Sequence, residues 1–359
     1  MNGRVANIAI YVGIPLVWAG LIIAFLYSSY VTQFYREKEK AISVFMWSDV
    51  IPQRLIAQFE QETGIKVHLN YYEGNDEMMT KLEFSQGAGY DIIMPSHYML
   101  RQLVRDGHLK RIDKKRLPFI SFLDKRSFNC FVDPDSDYAV PFLWDVYGLG
   151  IDSTFFQGKA FEPSWELLYK PRYAYRVAMT DEPREIIAVA AQYLFGRVCT
   201  LDSDQQRLVK QLLIDQKKYV EAYTDLTLDL LLTSKTCPVV FGPSASIYRA
   251  RKRAPWVRFV LPREGTVSVM ESFAISAHSS KDDYVYAFLN FMYQREAQKA
   301  IFDDFGYLPC DTRVLPHLDL SHLGGAEALN SVYVRNIHLI APLMPRKQLV
   351  QLWLSIKAY

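Results

Sequence analysis

The chain has 359 residues, half of them hydrophobic and 14% aromatic, which is enough for about two packed domains and excludes a disordered protein. Its 41 basic and 39 acidic residues nearly cancel, leaving a formal net charge of +2. This balance argues against a general nucleic-acid-binding protein, which carries a basic excess on one face. One basic cluster departs from the balance, and we interpret it as a solvated helix end: Arg249, Arg251, Lys252 and Arg253.

The amino-terminal region contains an uncharged apolar run, residues 8–27, whose 20 residues match the thickness of a bilayer core. The run is longer than the roughly 7–15-residue core of a cleaved signal, and no A-x-A site or lipid-accepting cysteine follows it. We therefore expect residues 1–35 to form a retained transmembrane anchor, with a cleaved signal as the alternative. Basic residues that follow the run, set against Arg4 before it, slightly oppose export by the positive-inside rule.

The segment after this run alternates short apolar stretches with amphipathic ones. We predict strands at 42–46, 65–69 and 90–94, because short apolar runs of this kind suit a buried parallel sheet. A helix is expected from Pro52 to Gly64, a second at 76–84 capped by Asn75, and a third at 99–106. This β-α-β-α-β-α order is typical of an α/β lobe with a parallel sheet.

A second α/β region is expected at about 148–267. Its predicted elements are helices at 184–194 and around 203–213 and a strand at 239–241. The elements predicted after it are a strand at 272–275, a helix at 283–302 and a last helix at 346–357. Two α/β lobes imply a cleft between them, and open α/β sheets bind ligands beyond the carboxyl ends of their strands.

Catalytic and metal-binding motifs are absent from the sequence: there is no HExxH, no P-loop, no complete GxGxxG and no GxSxG. The seven histidines are scattered, and Tyr71-Tyr72 reads better as strand-end packing than as a ferric-iron site. No CxxC pair exists, so neither a zinc site nor a thioredoxin motif is indicated. Disulfides and buried thiols both stay open for the four cysteines: Cys130, Cys199, Cys237 and Cys310. We predict a protein that is not an enzyme and holds no metal or cofactor.

Several segments recur in a known family in the same order. They are Trp47-Ser48-Asp49, the FEQETGIKV of 59–67, the YDIIMPS of 90–96, the VPFLW of 140–144, the TDEPRE of 180–185 and the FGYLP of 305–309. On these segments the chain resembles the spermidine/putrescine-binding proteins of bacterial ABC importers, over nearly everything from 42 to 310. The ETGIKV motif by itself is typical of many extracellular solute-binding proteins, whereas the first and fifth segments are more specific to the polyamine branch.

The resemblance implies a class II periplasmic-binding-protein fold, an α/β fold with two lobes around a cleft, here preceded by one transmembrane helix. Lobe 1 is expected at 42–144 plus 270–315, and lobe 2 at 148–267 plus 320–359. The hinge is expected near 145–148, 268–269 and 316–319. The implied partners are a polyamine, a membrane permease and, through it, a cytoplasmic ATPase, with the chain anchored on the extracytoplasmic or periplasmic side of the membrane.

The resemblance also implies the ligand-binding residues. In that family carboxylates hold the ammonium groups of the ligand and aromatic rings flank its methylene chain. We expect Glu185 to carry more binding energy than Glu182, because it begins a helix and is held more rigidly. Carried over by position, the binding residues are Trp47, Ser48, Asp49, Ser96, Tyr98, Glu182, Glu185, Phe241, Glu271 and Tyr307.

The sequence also departs from the family pattern. Val50, Phe241 and Val269 replace larger aromatic residues, Ser244 stands where some putrescine-preferring members have Asp, and nothing after Pro316 matches. Because the carboxylates are retained and several aromatic residues are replaced, we expect polyamine binding weaker than is typical of the family. We also expect little discrimination between putrescine and spermidine. Four alternatives stay open: another organic cation, ferric iron, a membrane-anchored ligand sensor, and an enzyme on the same scaffold.

Overall fold

The computed structural model describes residues 40–124, 133, 135–170, 175–323 and 337–359, and in addition Trp18 and Ile22. In these ranges no helix is long and apolar enough to cross a membrane. The predicted anchor at 1–35 lies outside the described residues apart from Trp18 and Ile22, and so does Cys130.

The described chain alternates strands and helices. Its strands are β1 Ala41–Trp47, β2 Lys66–Tyr72, β3 Ile92–Ile93, β4 Ala139–Asp152, β5 Val177–Met179, β6 Val220–Tyr223, β7 Val239–Pro243, β8 Val257–Val260, β9 Thr266–Ile275, β10 Leu308–Pro309 and β11 Ile337–Leu339. Its α-helices are α1 Gln53–Thr63, α2 Asn75–Ser85, α3 Leu100–Arg105, α4 Glu166–Tyr169, α5 Pro183–Phe195, α6 Ser203–Gln216, α7 Leu228–Thr233, α8 Ser244–Arg253, α9 Asp282–Met292, α10 Arg295–Phe305 and α11 Arg346–Lys357. Short 3-10 helices lie at His97–Met99, Lys114–Arg116, Pro118–Phe122, Lys217–Tyr219, Leu315–His317 and Ser321–Leu323.

Two sheets share one strand. The strand order is β2-β1-β3-β9-β4 in the first half of the molecule and β4-β7-β5-β6 in the second, while β8 and β10 also pair with β4 and β11 pairs with β9. The pairs β1–β2, β1–β3, β5–β6 and β5–β7 are parallel, as an α/β fold predicts. Both sheets are mixed, because β4 runs antiparallel to β9 and to β7.

Helix α1 shows how local sequence sets these elements. Pro52 precedes its first residue, and Gly64 ends it with a φ of +68°, a conformation that glycine adopts without a steric cost. The buried face of the helix carries Leu55, Ile56 and Phe59, which join the core of the first half. The bounds agree with the predicted helix.

Strand β4 was not predicted as one element. It is 14 residues long and buried throughout. Its first part, Ala139–Val146, pairs with β9, and its second part, from Tyr147, pairs with β7 and β8, so one strand belongs to both halves. Two glycines allow this packing, because a Cβ would lie 2.5 Å from the Phe259 ring at Gly148 and 2.5 Å from Ile247 Cδ1 at Gly150.

The expected hinge points can be placed on these strands. Asp145 pairs with Val269, and Val146 with Ser268, so the 145–148 and 268–269 segments lie side by side on β4 and β9. The third expected segment, 316–319, is not part of this ribbon. Instead β11 runs alongside, with Leu339 paired to Ser268.

Two predicted helices differ from the structure. Gly74, not Asn75, caps α2, and the Asn75 side chain donates instead to Ser96 and Tyr98. The helix predicted at 283–302 is two helices, α9 and α10, which are separated at Tyr293. There the Tyr293 hydroxyl bonds to the Val140 and Pro141 carbonyls of β4, and the extended backbone of Gln294, with a ψ of 143°, interrupts the helix.

Candidate binding cleft

A cleft of about 890 Å³ lies between the two halves. Its walls include Trp47, Ser48 and Asp49 at the end of β1, and Asp181 and Glu182 before α5. A smaller cavity of about 120 Å³ lies against the crossing strands β4 and β9 and shares five lining residues with the cleft: Trp47, Glu182, Asp225, Arg249 and Tyr307. The two spaces therefore form one site, with the ribbon of β4 and β9 as its floor.

Glu271 on β9 lies at this floor in a fixed orientation. Trp47 Nε1 donates to its Oε2 at 2.9 Å, and the Ser96 hydroxyl donates to its Oε1 at 2.8 Å. Three of the predicted site residues are thus joined in one hydrogen-bonded group. Burial raises the pKa of Glu271 to about 7, with a further contribution from the nearby Asp145, while the two hydrogen bonds oppose the rise.

Glu182 and Glu185 lie close together but face different surroundings. Glu182 lines both cavities, whereas Glu185 is 1% exposed and accepts a hydrogen bond of 3.1 Å from Tyr98 of the opposite half. Glu185 Oε2 has no hydrogen-bond partner among the described atoms. The Arg184 guanidinium lies 4.5 Å from the centre of the Tyr98 ring. Tyr98 and Glu185 therefore join the two halves behind the cleft.

Burial raises the pKa of both glutamates. That of Glu182 lies well above its usual range because of desolvation, then because of Glu185 and Asp225. That of Glu185 rises to about 8, also by desolvation, with Arg184 opposing the rise. Each carboxylate thus disfavours the ionisation of its neighbours, and an added cation would relieve that repulsion.

Two further carboxylates belong to the site and were not predicted. Asp145 on β4 lines the smaller cavity and accepts from the Ser244 hydroxyl and the backbone N–H groups of Val146 and Ala245. Asp225 lines both cavities and accepts from the Thr180 hydroxyl. Burial raises the pKa of Asp145 to about 7 and raises that of Asp225 as well.

The carboxylates of the site divide into an inner and an outer group. In the outer part of the cleft Asp76 pairs with Arg346, Asp181 with Lys357, Asp229 with Arg253 and Asp304 with Arg54. No described lysine or arginine forms an ion pair with any of the inner carboxylates, which are Asp145, Glu182, Asp225 and Glu271. The floor of the site therefore carries acidic groups without a bound counter-charge.

The basic cluster on α8 is not simply a solvated helix end. Arg249 lines both cavities, and its Nη1 donates to the Phe305 carbonyl at 3.2 Å. Arg253, one turn later, lines the cleft and pairs with Asp229 at 2.9 Å. The prediction is wrong for Arg249, which lies in the wall of both cavities, whereas Arg253 is exposed in the last turn of the helix, as expected, and borders the cleft as well.

The aromatic lining differs from the predicted one. Phe241 is fully buried, and its ring packs 5.5 Å from that of Trp165 and 5.6 Å from that of Tyr147, so it lies behind the cavity wall. Val50 and Val269 line the smaller cavity, as expected of positions without rings. Trp144 and Tyr147 supply aromatic rings to this cavity, and neither was predicted as a binding residue. The loss of aromatic surface is thus partly compensated by the crossing strand.

The remaining predicted residues can be placed as well. Tyr307, Ser48 and Asp49 line the cleft, and Asp49 is exposed with a φ of +52°. Ser96 is 1% exposed and is linked to the site through its hydrogen bonds with Glu271 and Asn75. Across the described residues no cluster of three or more His, Cys, Asp or Glu could hold a metal ion. Tyr71 is exposed while the adjacent Tyr72 is buried, so the two hydroxyls do not share a site.

Comparisons with known proteins agree with this architecture. Residues 54–322 match the family described as bacterial extracellular solute-binding protein. The chain is 29% identical over 265 residues to a spermidine/putrescine-binding periplasmic protein of Salmonella typhimurium, covering 73% of this chain and 75% of that one. It is 28% identical over 281 residues to a putrescine-binding periplasmic protein of Pseudomonas aeruginosa, covering 74% and 76%.

A solved structure shows the same fold. The spermidine/putrescine ABC transporter substrate-binding protein of Streptococcus pneumoniae superimposes with a TM-score of 0.73 at 21% identity, covering 89% of this chain and 99% of that one. Two α/β halves around a cleft are therefore confirmed, and so is the resemblance found in the sequence.

Proposed function

The chain belongs to the bacterial extracellular solute-binding proteins, and from this premise we propose that it is the substrate-binding component of an ABC importer that captures polyamines such as putrescine and spermidine. The observation that carries the proposal is the group of inner carboxylates without an ion-pair partner. The curated relatives that bind putrescine or spermidine support it.

An ammonium group suits the acidic side chains at the floor of this site. It has three N–H donors and, when desolvated, needs anionic acceptors. Burial raises the pKa of Glu271 and of Asp145, at Asp145 against the opposing effect of Arg249, and a ligand ammonium would favour the ionised form of both. The rings of Trp47 and Tyr147 border the same space and suit methylene groups between two ammonium ends.

We propose that the ligand closes lobe 1, 42–144 plus 270–315, onto lobe 2, 148–267 plus 320–359. The closed form would dock on a membrane permease that a cytoplasmic ATPase drives. The contact of Tyr98 with Glu185 joins the two halves at the back of the cleft. Closure would therefore act mainly at the open side, where Asp49 and Asp181 line opposite walls.

Titration calorimetry of the full chain in detergent with putrescine and spermidine tests the function. Binding of both is expected, with affinities within about tenfold of each other, because Val50 and Val269 offer a longer amine little extra ring contact. No heat with either amine at millimolar concentration, alongside binding of an anion or of ferric iron, would contradict the assignment.

The same titration separates the two glutamates. We expect Glu182→Gln to weaken putrescine binding about tenfold or more, because Glu182 lines both cavities. Glu185→Gln should stay within about threefold of wild type, because Glu185 is buried behind the cleft and lines neither cavity. This order reverses the one expected from sequence. A larger loss of putrescine affinity in the Glu185 variant than in the Glu182 variant would support the order expected from sequence instead.

We further propose that the chain works on the extracytoplasmic side of the membrane and keeps residues 8–27 as an anchor. The uncharged 20-residue run without a small-residue cleavage site supports the anchor. Mass spectrometry of the protein from the membrane fraction is expected to find the run intact. A mature chain that begins between Ser28 and Lys40 would show a cleaved signal instead.

A further inference from the structure

Arg249 is a cation placed among the acidic groups of the site. It lines the cleft and the smaller cavity together with Glu182 and Asp225. Despite these neighbours it forms no ion pair with any described carboxylate, whereas Arg253 and Lys357, which also line the cleft, pair with Asp229 and Asp181. Arg249 is thus the described cation of the cleft lining that forms no ion pair.

Two hydrogen bonds fix the orientation of this guanidinium. Nη1 donates to the Phe305 carbonyl at 3.2 Å, and Nη2 donates to the Ser246 hydroxyl at 3.0 Å. A guanidinium has five N–H donors; two are used in these bonds and a third in a hydrogen bond to the Tyr307 hydroxyl, so two remain for a ligand. A planar, held guanidinium with two donors left can bind a carboxylate through two hydrogen bonds.

A ligand that carries only ammonium groups leaves the remaining Arg249 N–H donors without an acceptor. It also places its positive charges near that of Arg249. We propose that the cleft takes linear amines that also carry one carboxylate, such as α,ω-diamino acids, and that Arg249 binds that carboxylate. The proposal rests on the proposed function, since the inner carboxylates bind the ammonium groups. It narrows the ligand class from polyamines in general to those with an acidic substituent.

A simpler role for Arg249 is to balance the charge of the buried Asp145, whose pKa it lowers. That role affects every ammonium ligand alike, because it acts only through the ionisation of Asp145. Recognition of a ligand carboxylate instead changes the ratio of affinities between two amines that differ in that group alone. Ornithine and putrescine are such a pair, since ornithine is putrescine with a carboxylate on one terminal carbon.

The test is calorimetry of the full chain with ornithine and with putrescine, in the wild type, Arg249→Gln and Arg251→Gln. In the wild type ornithine should bind more tightly than putrescine. Arg249→Gln should weaken ornithine binding about 30-fold or more, the effect of removing one member of a desolvated charge pair, while putrescine binding holds or improves. Arg251→Gln, on the same helix but outside the residues that line either cavity, should leave the ratio unchanged.

The outcomes distinguish binding of a ligand carboxylate by Arg249 from its simpler role beside Asp145. If putrescine binds the wild type and ornithine does not, or if Arg249→Gln lowers both affinities equally, Arg249 does not bind a ligand carboxylate and the polyamine function stands. If neither amine binds, both proposals fall. Arg249→Lys covers the case of a Gln variant that does not fold. It keeps the charge near Asp145 but offers no paired N–H groups, so the preference for ornithine should still be lost.

Discussion

Replacing Glu271 with Gln should weaken putrescine binding by about 30-fold or more, which corresponds to roughly 2–5 kcal/mol. Glu271 is the carboxylate at the floor of the smaller cavity, oriented by Trp47 and Ser96. Gln preserves its size, and the Ser96 hydroxyl can turn to accept from the new amide. The change therefore removes the negative charge with little disturbance of the packing, and calorimetry on the folded variant measures that charge alone.

The matched control for this variant is Glu221→Gln. Glu221 pairs with Arg176 at 3.0 Å on strand β6, outside the residues that line either cavity. Its loss should leave putrescine affinity within about twofold of wild type, since exposed pairs of this kind contribute about 0–1 kcal/mol to stability and nothing to a distant site. Equal affinities of the Glu271 variant and the wild type would remove Glu271 from the binding set.

Putrescine binding should also weaken steeply as the pH falls from 8 to 5.5. An ammonium group needs ionised carboxylates, and burial raises the pKa of Glu271 and of Asp145 to about 7. At pH 5.5 only about one in thirty of each is ionised, so the affinity should drop roughly 30-fold for each carboxyl that must ionise. Binding at pH 7 should release protons, which calorimetry in buffers of different ionisation enthalpy detects. A flat affinity over this range would contradict the expectation.

The same shifts give a sign for the stability of the ligand-free chain. The pKa of Glu271 in the folded state lies above its unfolded value, so the folded state holds a proton that the unfolded state has released. This stabilisation is complete below the unfolded carboxyl pKa of about 4 and is lost as the pH rises through about 7. Thermal denaturation should therefore show a Tm about 3 °C or more lower at pH 8 than at pH 5.5. Saturating putrescine or Glu271→Gln should reduce the difference.

How far the sequence predicts this fold depends on where each element gets its stability. Helices α1 and α11 were predicted almost to the residue, because their ends carry local signals such as Pro52 and Gly64. Strand β4 was not, since it contains Pro141, Asp145 and two glycines, all unfavourable in strands. Its pairing with β9 more than 100 residues away makes it a strand, and that pairing leaves no local pattern.

The site residues also differ in how far the sequence predicts them. Trp47 and Glu182 stand in segments that recur in a family, Glu271 was carried over from that family by position, and the structure brings all three to one cavity. Arg249 was hidden in a run of basic residues, and only its spacing of four from Arg253 sets the two apart from Arg251 and Lys252. Asp225 follows the end of strand β6, so its position at a carboxyl end was a signal that could have found it.

Because β4 continues from one half into the other without a loop, a change in the angle between the halves would twist this strand and the β9 residues paired with it. Asp145, Val269 and Glu271 stand on the stretch that would twist, and they also form the floor of the cavity. We expect any closure of the halves to move the same backbone that carries these cavity-lining side chains. Ligand binding and closure would then be coupled directly, without other residues to transmit the change.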